Sequence, residues 1–409
     1  MSVLFSAERH EPLHEAAWDP AAARTAIARI AAAARSAFTG DGFWPIHPRD
    51  ADAGPGPLTS LYDGAAGVIW ALDHLAREGA ADATPELGDH FDEVQHRNRR
   101  ALEADAMRTL LGADWQTRSL LLGDAGVIFA EWRNADAGAA PALLETLAAT
   151  IEDNTHDVAL ELMWGAPGTM LVALALYRYD GDARWADLYR AGADALEASF
   201  AFDADLGADI WTQTLYGRRA RYLGAVHGFA GNAFALIRGR DLLPTDRWRA
   251  LSARLARTLE VTANRDEAGA SWDPTIGWDR VNRQPLVQHC HGAPGMITAL
   301  SGLDQPIDAL LLDAGRLTWT AGPLAKGANL CHGTAGNAYA FLKLFERTGD
   351  DLWLTRARAF AMHAIAQSDA DAAALGRPHF SLWTGDLGLA CFLWECLRAS
   401  SRFPTMDAF

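Results

Sequence analysis

Cysteine is scarce in this chain. Four residues in 409, none of them in a C-x-x-C pair, leave no disulfide scaffold, and reduced intracellular thiols are expected. No run of about 18 apolar residues occurs, so no membrane-spanning helix is predicted. Met1 to Trp18 carries Glu8, Arg9, His10, Glu11 and Glu15 where a signal peptide needs an apolar stretch, and a cytoplasmic protein is expected. Positive charge is also short: 36 Lys and Arg face 52 Asp and Glu, a net charge of −16. Such a balance repels phosphate backbones and anionic lipid and argues against nucleic-acid and membrane partners. β-branched alternation is thin while Ala and Leu abound, which predicts an all-α protein.

What the chain has is apolar mass and a repeat. Half of its residues are hydrophobic and 15 are Trp, enough to bury a substantial core and to exclude disorder. A Gly-x-x-Gly phrase occurs seven times, opening at Gly64, Gly123, Gly165, Gly228, Gly292, Gly333 and Gly385. Successive copies lie roughly 40 to 65 residues apart, room for two helices and their loops. Each is followed by an almost wholly apolar run, such as Val68 to Leu72 or Leu389 to Leu393, which reads as a buried helix. More charged segments between them, such as Arg24 to Phe38 and Asp246 to Val261, read as amphipathic outer helices. Seven such units bury their inner helices best by closing on themselves, because an open stack exposes its ends. The predicted fold is an (α/α)7 toroid with the seven glycine loops at one end. Residues 21–409 form the single toroid domain, 1–20 an N-terminal extension, and insertions fall at Phe202 to Leu223 and Asn264 to Gln288.

If every loop enters an inner helix, the seven helix N-termini converge on the ring axis, and the functional site is expected there. Exposed N–H groups and the helix dipoles then favour an anion or thiolate, although the glycines can equally serve tight packing. The residues before the glycines carry the chemistry. Cys290-His291-Gly292, Cys331-His332-Gly333 and Val226-His227-Gly228 place two cysteines and three histidines at equivalent repeat positions. Two thiolates and one imidazole suit Zn²⁺ with a fourth position left for water or substrate. Only one of His291 and His332 is needed, and spacing does not choose between them. Cys391 and Cys396 sit on one apolar helix and read as core. His227, without a cysteine neighbour, is a candidate general acid or base. Glu161 is a candidate acid, base or orienting group. Lys326 and Arg377 can receive an anionic substrate, and Trp164 and Trp383 are expected to line the mouth.

These motifs, in this order over nearly the whole chain, resemble the lanthionine synthetase C-like (LanC-like) family. Gln288-His-Cys-His-Gly-Ala-Pro-Gly295, Leu330 to Phe341 and Phe380-Ser-Leu-Trp383 are closer to its glutathione-binding eukaryotic-type branch than to the lantibiotic cyclases. The resemblance implies a double α-barrel, zinc on Cys290, Cys331 and His332, His227 as the acid that protonates an enolate, and Lys326 as that branch's lysine. It departs from the family where His289 replaces a Trp and where the segment before loop seven is cut to Arg377-Pro378-His379, and from the cyclase branch where Leu286 stands for an Arg and Glu161 for an Asp.

The chemistry follows from the metal. Zinc holds a thiol as thiolate near neutral pH, the thiolate adds to the β-carbon of a dehydroalanine or dehydrobutyrine residue, and His227 protonates the enolate while loop N–H groups steady it. Two anionic cysteines keep the sulfur nucleophilic and disfavour hydrolysis. Addition of glutathione or another thiol to a dehydroamino-acid peptide or protein is the expected activity. The alternatives are an intramolecular lanthipeptide cyclase and a non-catalytic glutathione or peptide binder, with a zinc prenyl transferase as the outsider.

Overall fold

The computed structural model describes residues 4–53, 56–111 and 117–409. Seven inner helices, Ala65–Arg77, Asp124–Asn134, Ala166–Asp180, Phe229–Arg238, Ala293–Leu300, Thr334–Thr348 and Asp386–Arg398, each begin directly after the first glycine of a loop. Each touches the next, and the seventh returns to the first, so the ring is closed. Their residues are buried almost throughout, as the apolar runs predict. Between them run the amphipathic outer helices, among them Pro20–Ala37, Phe91–Leu102, Ala140–Asn154, Ala183–Ser199, Thr245–Thr262, Asp308–Ala321 and Asp351–Leu375. The first of these, capped by the Asp19 carboxylate, lies on the seventh inner helix and seals the junction. Strands among the described residues are confined to three two-stranded hairpins: Ala201–Asp203 with Ala208–Ile210, Gln213–Leu215 with Arg218–Ala220, and Asn264–Asp266 with Gly269–Ser271. All three fall where insertions are expected, the first opening one residue early.

The second glycine of every loop is there for closeness. A Cβ on Gly67, Gly126, Gly168, Gly231, Gly295, Gly336 or Gly388 would sit 1.7 to 2.5 Å from the carbonyl oxygen six residues earlier. It would also press on a side chain of the neighbouring loop: Leu382 for Gly67, Leu61 for Gly126, His289 for Gly336. The repeat is therefore a packing signature. Gly336→Ala, 1.7 Å from the Leu330 oxygen, is expected to destabilise the chain by roughly 2–4 kcal/mol. Gly349→Ala, at φ 69° with no neighbour within 4 Å, should cost only about 1 kcal/mol of backbone strain. Equal urea midpoints for the two variants would remove the close-contact explanation.

The expectation of free N–H groups at these helix starts is corrected by the same geometry. In loops one, four and six the first three helical N–H groups donate to loop carbonyls seven residues back, as from Thr334, Ala335 and Gly336 to Gly327, Ala328 and Asn329. They are spent on folding the loop and are not offered to an anion.

A second set of bonds links loops five, six, seven, one and two through the residue two before each first glycine. Cys290 N–H donates to Cys331 O (3.0 Å), Cys331 N–H to Trp383 O (3.0 Å), Trp383 N–H to Tyr62 O (2.9 Å) and Tyr62 N–H to Leu121 O (2.9 Å). At the far end, last-turn arginines compensate the helix C-termini by donating to a neighbour's carbonyl: Arg77 to Arg133 O and Arg178 to Arg238 O, each at 2.6 Å. After the last helix the chain folds back beneath the ring, burying Phe403, Met406 and Ala408, and Asp407 pairs with Lys343 at 2.9 Å.

Candidate functional site

Loops five and six are joined by the Cys290–Cys331 backbone bond, so their side chains meet by construction. Among the described residues, Cys290, Cys331 and His332 have ligating atoms all within 4.8 Å of one another. Two sulfurs at 2.3 Å from a tetrahedral ion stand about 3.8 Å apart, so the set fits zinc with small rotamer adjustments. Burial, followed by Lys326, pushes the His332 imidazole down to about 4, which keeps it neutral and able to ligate. Its loop is set by His332 N–H donating to Asn329 Oδ1 at 2.9 Å. The two thiols are coupled. Hydrogen bonding from Cys331, against burial and with help from Gln288, lowers Cys290, while that bond and burial push Cys331 up. His291 lies outside the cluster and faces His227, with ring centroids 6.0 Å apart. Of the two histidines that spacing leaves open, His332 is the one grouped with both cysteines.

His227 sits on loop four with its Nδ1 2.8 Å from Glu161 Oε2 on loop three. Glu161 is wholly buried and accepts from Met163 N–H (3.1 Å) and Trp164 N–H (2.5 Å). Leu160 before it adopts φ 46°, its carbonyl held by Asn232 (2.8 Å) and Gln213 (3.3 Å), so backbone strain is accepted to point Glu161 at the histidine. Burial opposes the imidazolium, and the Glu161 carboxylate and Cys290 overcome it, raising the His227 pKa. Lys326 and Arg377 are exposed and line one small pocket with Arg49 and His379. Arg49 spans it, binding Lys326 O and both Asp371 oxygens at 2.7 to 2.8 Å.

Two aromatic expectations change. Trp383 is 0% exposed, its indole N–H donating to Thr405 and its ring packed on Tyr62 and Phe403, so it is floor beneath the site and not its mouth. Trp164 is 4% exposed and donates to the Tyr216 hydroxyl at 3.2 Å, under the hairpin that carries Tyr216 edge-on to His227. His289 does not join the metal cluster. It stacks on Phe403 at 4.5 Å, and burial pushes it down to about 3. Residues the sequence did not single out also reach the sulfurs: the buried Tyr62 side chain is close enough to Cys331 for their charges to couple, and Gln288 Nε2 donates to Cys290 Sγ at 3.0 Å.

A cavity of about 690 Å³ lies at the opposite end of the ring, lined by Arg133, Arg178 and Phe409 among others. No cysteine lines it, and burial drives its histidine, His74, down to about 4.

The family model described as "Lanthionine synthetase C-like protein" matches residues 58–408. The "Glutathione S-transferase LANCL1" of Danio rerio is 32% identical over 193 residues, 46% of each chain. The "LanC-like protein GCL1" of Arabidopsis thaliana is 28% identical over 270 residues, 62% of this chain and 59% of its own. The aligned segments thus span about half the length of these curated relatives. Among solved structures, nisin cyclase superposes with a TM-score of 0.53 at 14% identity, over 83% of this chain and 94% of its own, a likeness of fold.

Proposed function

The chain belongs to the lanthionine synthetase C-like family, and from that premise we propose that it adds a thiol, glutathione in the first instance, to dehydroalanine or dehydrobutyrine residues of a peptide or protein. Cys290, Cys331 and His332 would hold zinc, which supplies a cationic partner that keeps the thiol ionised near neutral pH. The convergence of these three donors with the His227–Glu161 pair carries this reading. The glutathione part of it draws support from the name of the zebrafish relative.

Lys326 and Arg377 would bind the carboxylates of the thiol substrate, with the Arg49–Asp371 pair fixing the wall between them. The thiol loses its proton to solvent, its sulfur lone pair forms the bond to the β-carbon, and the C=C electron pair moves toward the carbonyl. His227, its pKa raised against burial by Glu161 and Cys290, delivers a proton to the α-carbon and is recharged from solvent. No oxidant or reductant is needed. The Glu161 carboxylate, bonded to two backbone N–H groups, orients the ring and does not itself transfer the proton.

Purified protein is expected to carry about one zinc per chain and to form the glutathione adduct of a dehydroalanine peptide, read as a mass increase. Stoichiometric zinc without adduct would count against the addition. Turnover only of a peptide bearing its own cysteine would replace this reading with cyclisation.

A further inference from the structure

The family match begins at residue 58 and gives the first residues no task. In the structure they form a strap along the segment that leads into loop six. Glu11 N–H donates to Pro323 O (3.0 Å), Ala325 N–H to Arg9 O (3.1 Å), and His10 Nδ1 lies 2.9 Å from Gly322 O. The Glu11 carboxylate meets His363 Nε2 at 2.7 Å and Gln367 Nε2 at 2.5 Å. So anchored, Arg9 places Nη2 3.2 Å from Gln288 Oε1, while Gln288 Nε2 stands 3.0 Å from Cys290 Sγ.

An amide can turn either end to a neighbour, and the two ends mean opposite things to a thiolate. Nitrogen donates to sulfur, whereas oxygen repels it. A guanidinium only donates, so Arg9 can be satisfied by Oε1 alone and thereby turns the NH₂ toward Cys290. We propose that Arg9 is a positioning residue of the metal site: it fixes the orientation of the Gln288 amide, and through that amide an N–H···S bond that aims Cys290 Sγ at its ligating position. The proposal rests on the donor set of Cys290, Cys331 and His332 argued above.

Groups that orient a ligand typically carry 10- to 100-fold in metal affinity. Chelator competition on the full chain is therefore expected to show zinc binding weakened about 10-fold by Gln288→Leu and about 3- to 10-fold by Arg9→Met. Because Arg9 acts through Gln288, the double variant should lose no more than Gln288→Leu alone, and Arg9→Lys, also a pure donor, should restore most of the affinity. With cobalt in place of zinc, the sulfur-to-metal charge-transfer band should move to longer wavelength in both single variants, a readout that loss of fold does not mimic. Affinity within twofold of wild type for Arg9→Met, losses that multiply in the double variant, or an unmoved cobalt band would each overturn the proposal. A wild-type chain that binds neither metal would instead sink the donor set itself, and this proposal with it. Adduct formation by wild type with no effect at Arg9 would sink the proposal alone.

Discussion

Cys290→Ala is expected to drop bound zinc from about one equivalent per chain to background and to slow thiol addition by about a thousandfold or more, the several kcal/mol that a cation contributes to holding a thiolate. The variant isolates the donor. Its backbone N–H still bonds Cys331 O, so loops five and six stay joined. Cys396→Ala is the matched control, since that thiol is buried in the last inner helix and is pushed well up by burial. It should lose some stability and keep its zinc. Metal analysis and adduct mass on both proteins decide the matter: retained zinc in Cys290→Ala means the donor set is wrong.

The second large effect is expected at His227. His227→Asn should keep zinc and thiol affinity while lowering the rate of adduct formation by roughly 10²- to 10⁴-fold, the usual range for a positioned acid. The sign of the pH dependence follows from the raised pKa. Burial disfavours the imidazolium, Glu161 with help from Cys290 more than offsets it, and the proton is present below the raised value and lost as pH climbs through it. Activity should accordingly fall on the alkaline side. Glu161→Gln removes the charge that raises the pKa, so that alkaline limb should shift to lower pH. A profile identical to wild type would show that the proton comes from another group.

Much of this was legible because the fold stamps its needs at fixed offsets. A carbonyl pressed against each inner helix six residues back demands glycine seven times over, and that demand is visible as a repeat. Cys290 and Cys331 stand at the same repeat position, two residues before the first glycine. His291 and His332 do too, and there the repeat is silent: which ring meets the sulfurs depends on neighbours such as Asn329, which accepts from His332 N–H. Trp383 was misread because nothing before loop seven says that Phe403 and Thr405 return beneath it. Tyr62 lies 269 positions from Cys331, and Arg9 lies 279 from Gln288, distances over which no local pattern speaks. In loops one, four and six the expected free helix N–H groups are absent on accounting, since the loops that place them also consume them.

The bonds that run from Cys290 through Cys331 and Trp383 to Tyr62 also order events in time. A nascent chain leaving the ribosome has exposed both thiols before Trp383 appears, and it cannot seat them until the last inner helix has docked on the first. A donor set spaced by those bonds would be complete only once the ring has closed, and a chain cut short of Trp383 would carry Cys290, Cys331 and His332 without the bond that Cys331 makes to Trp383.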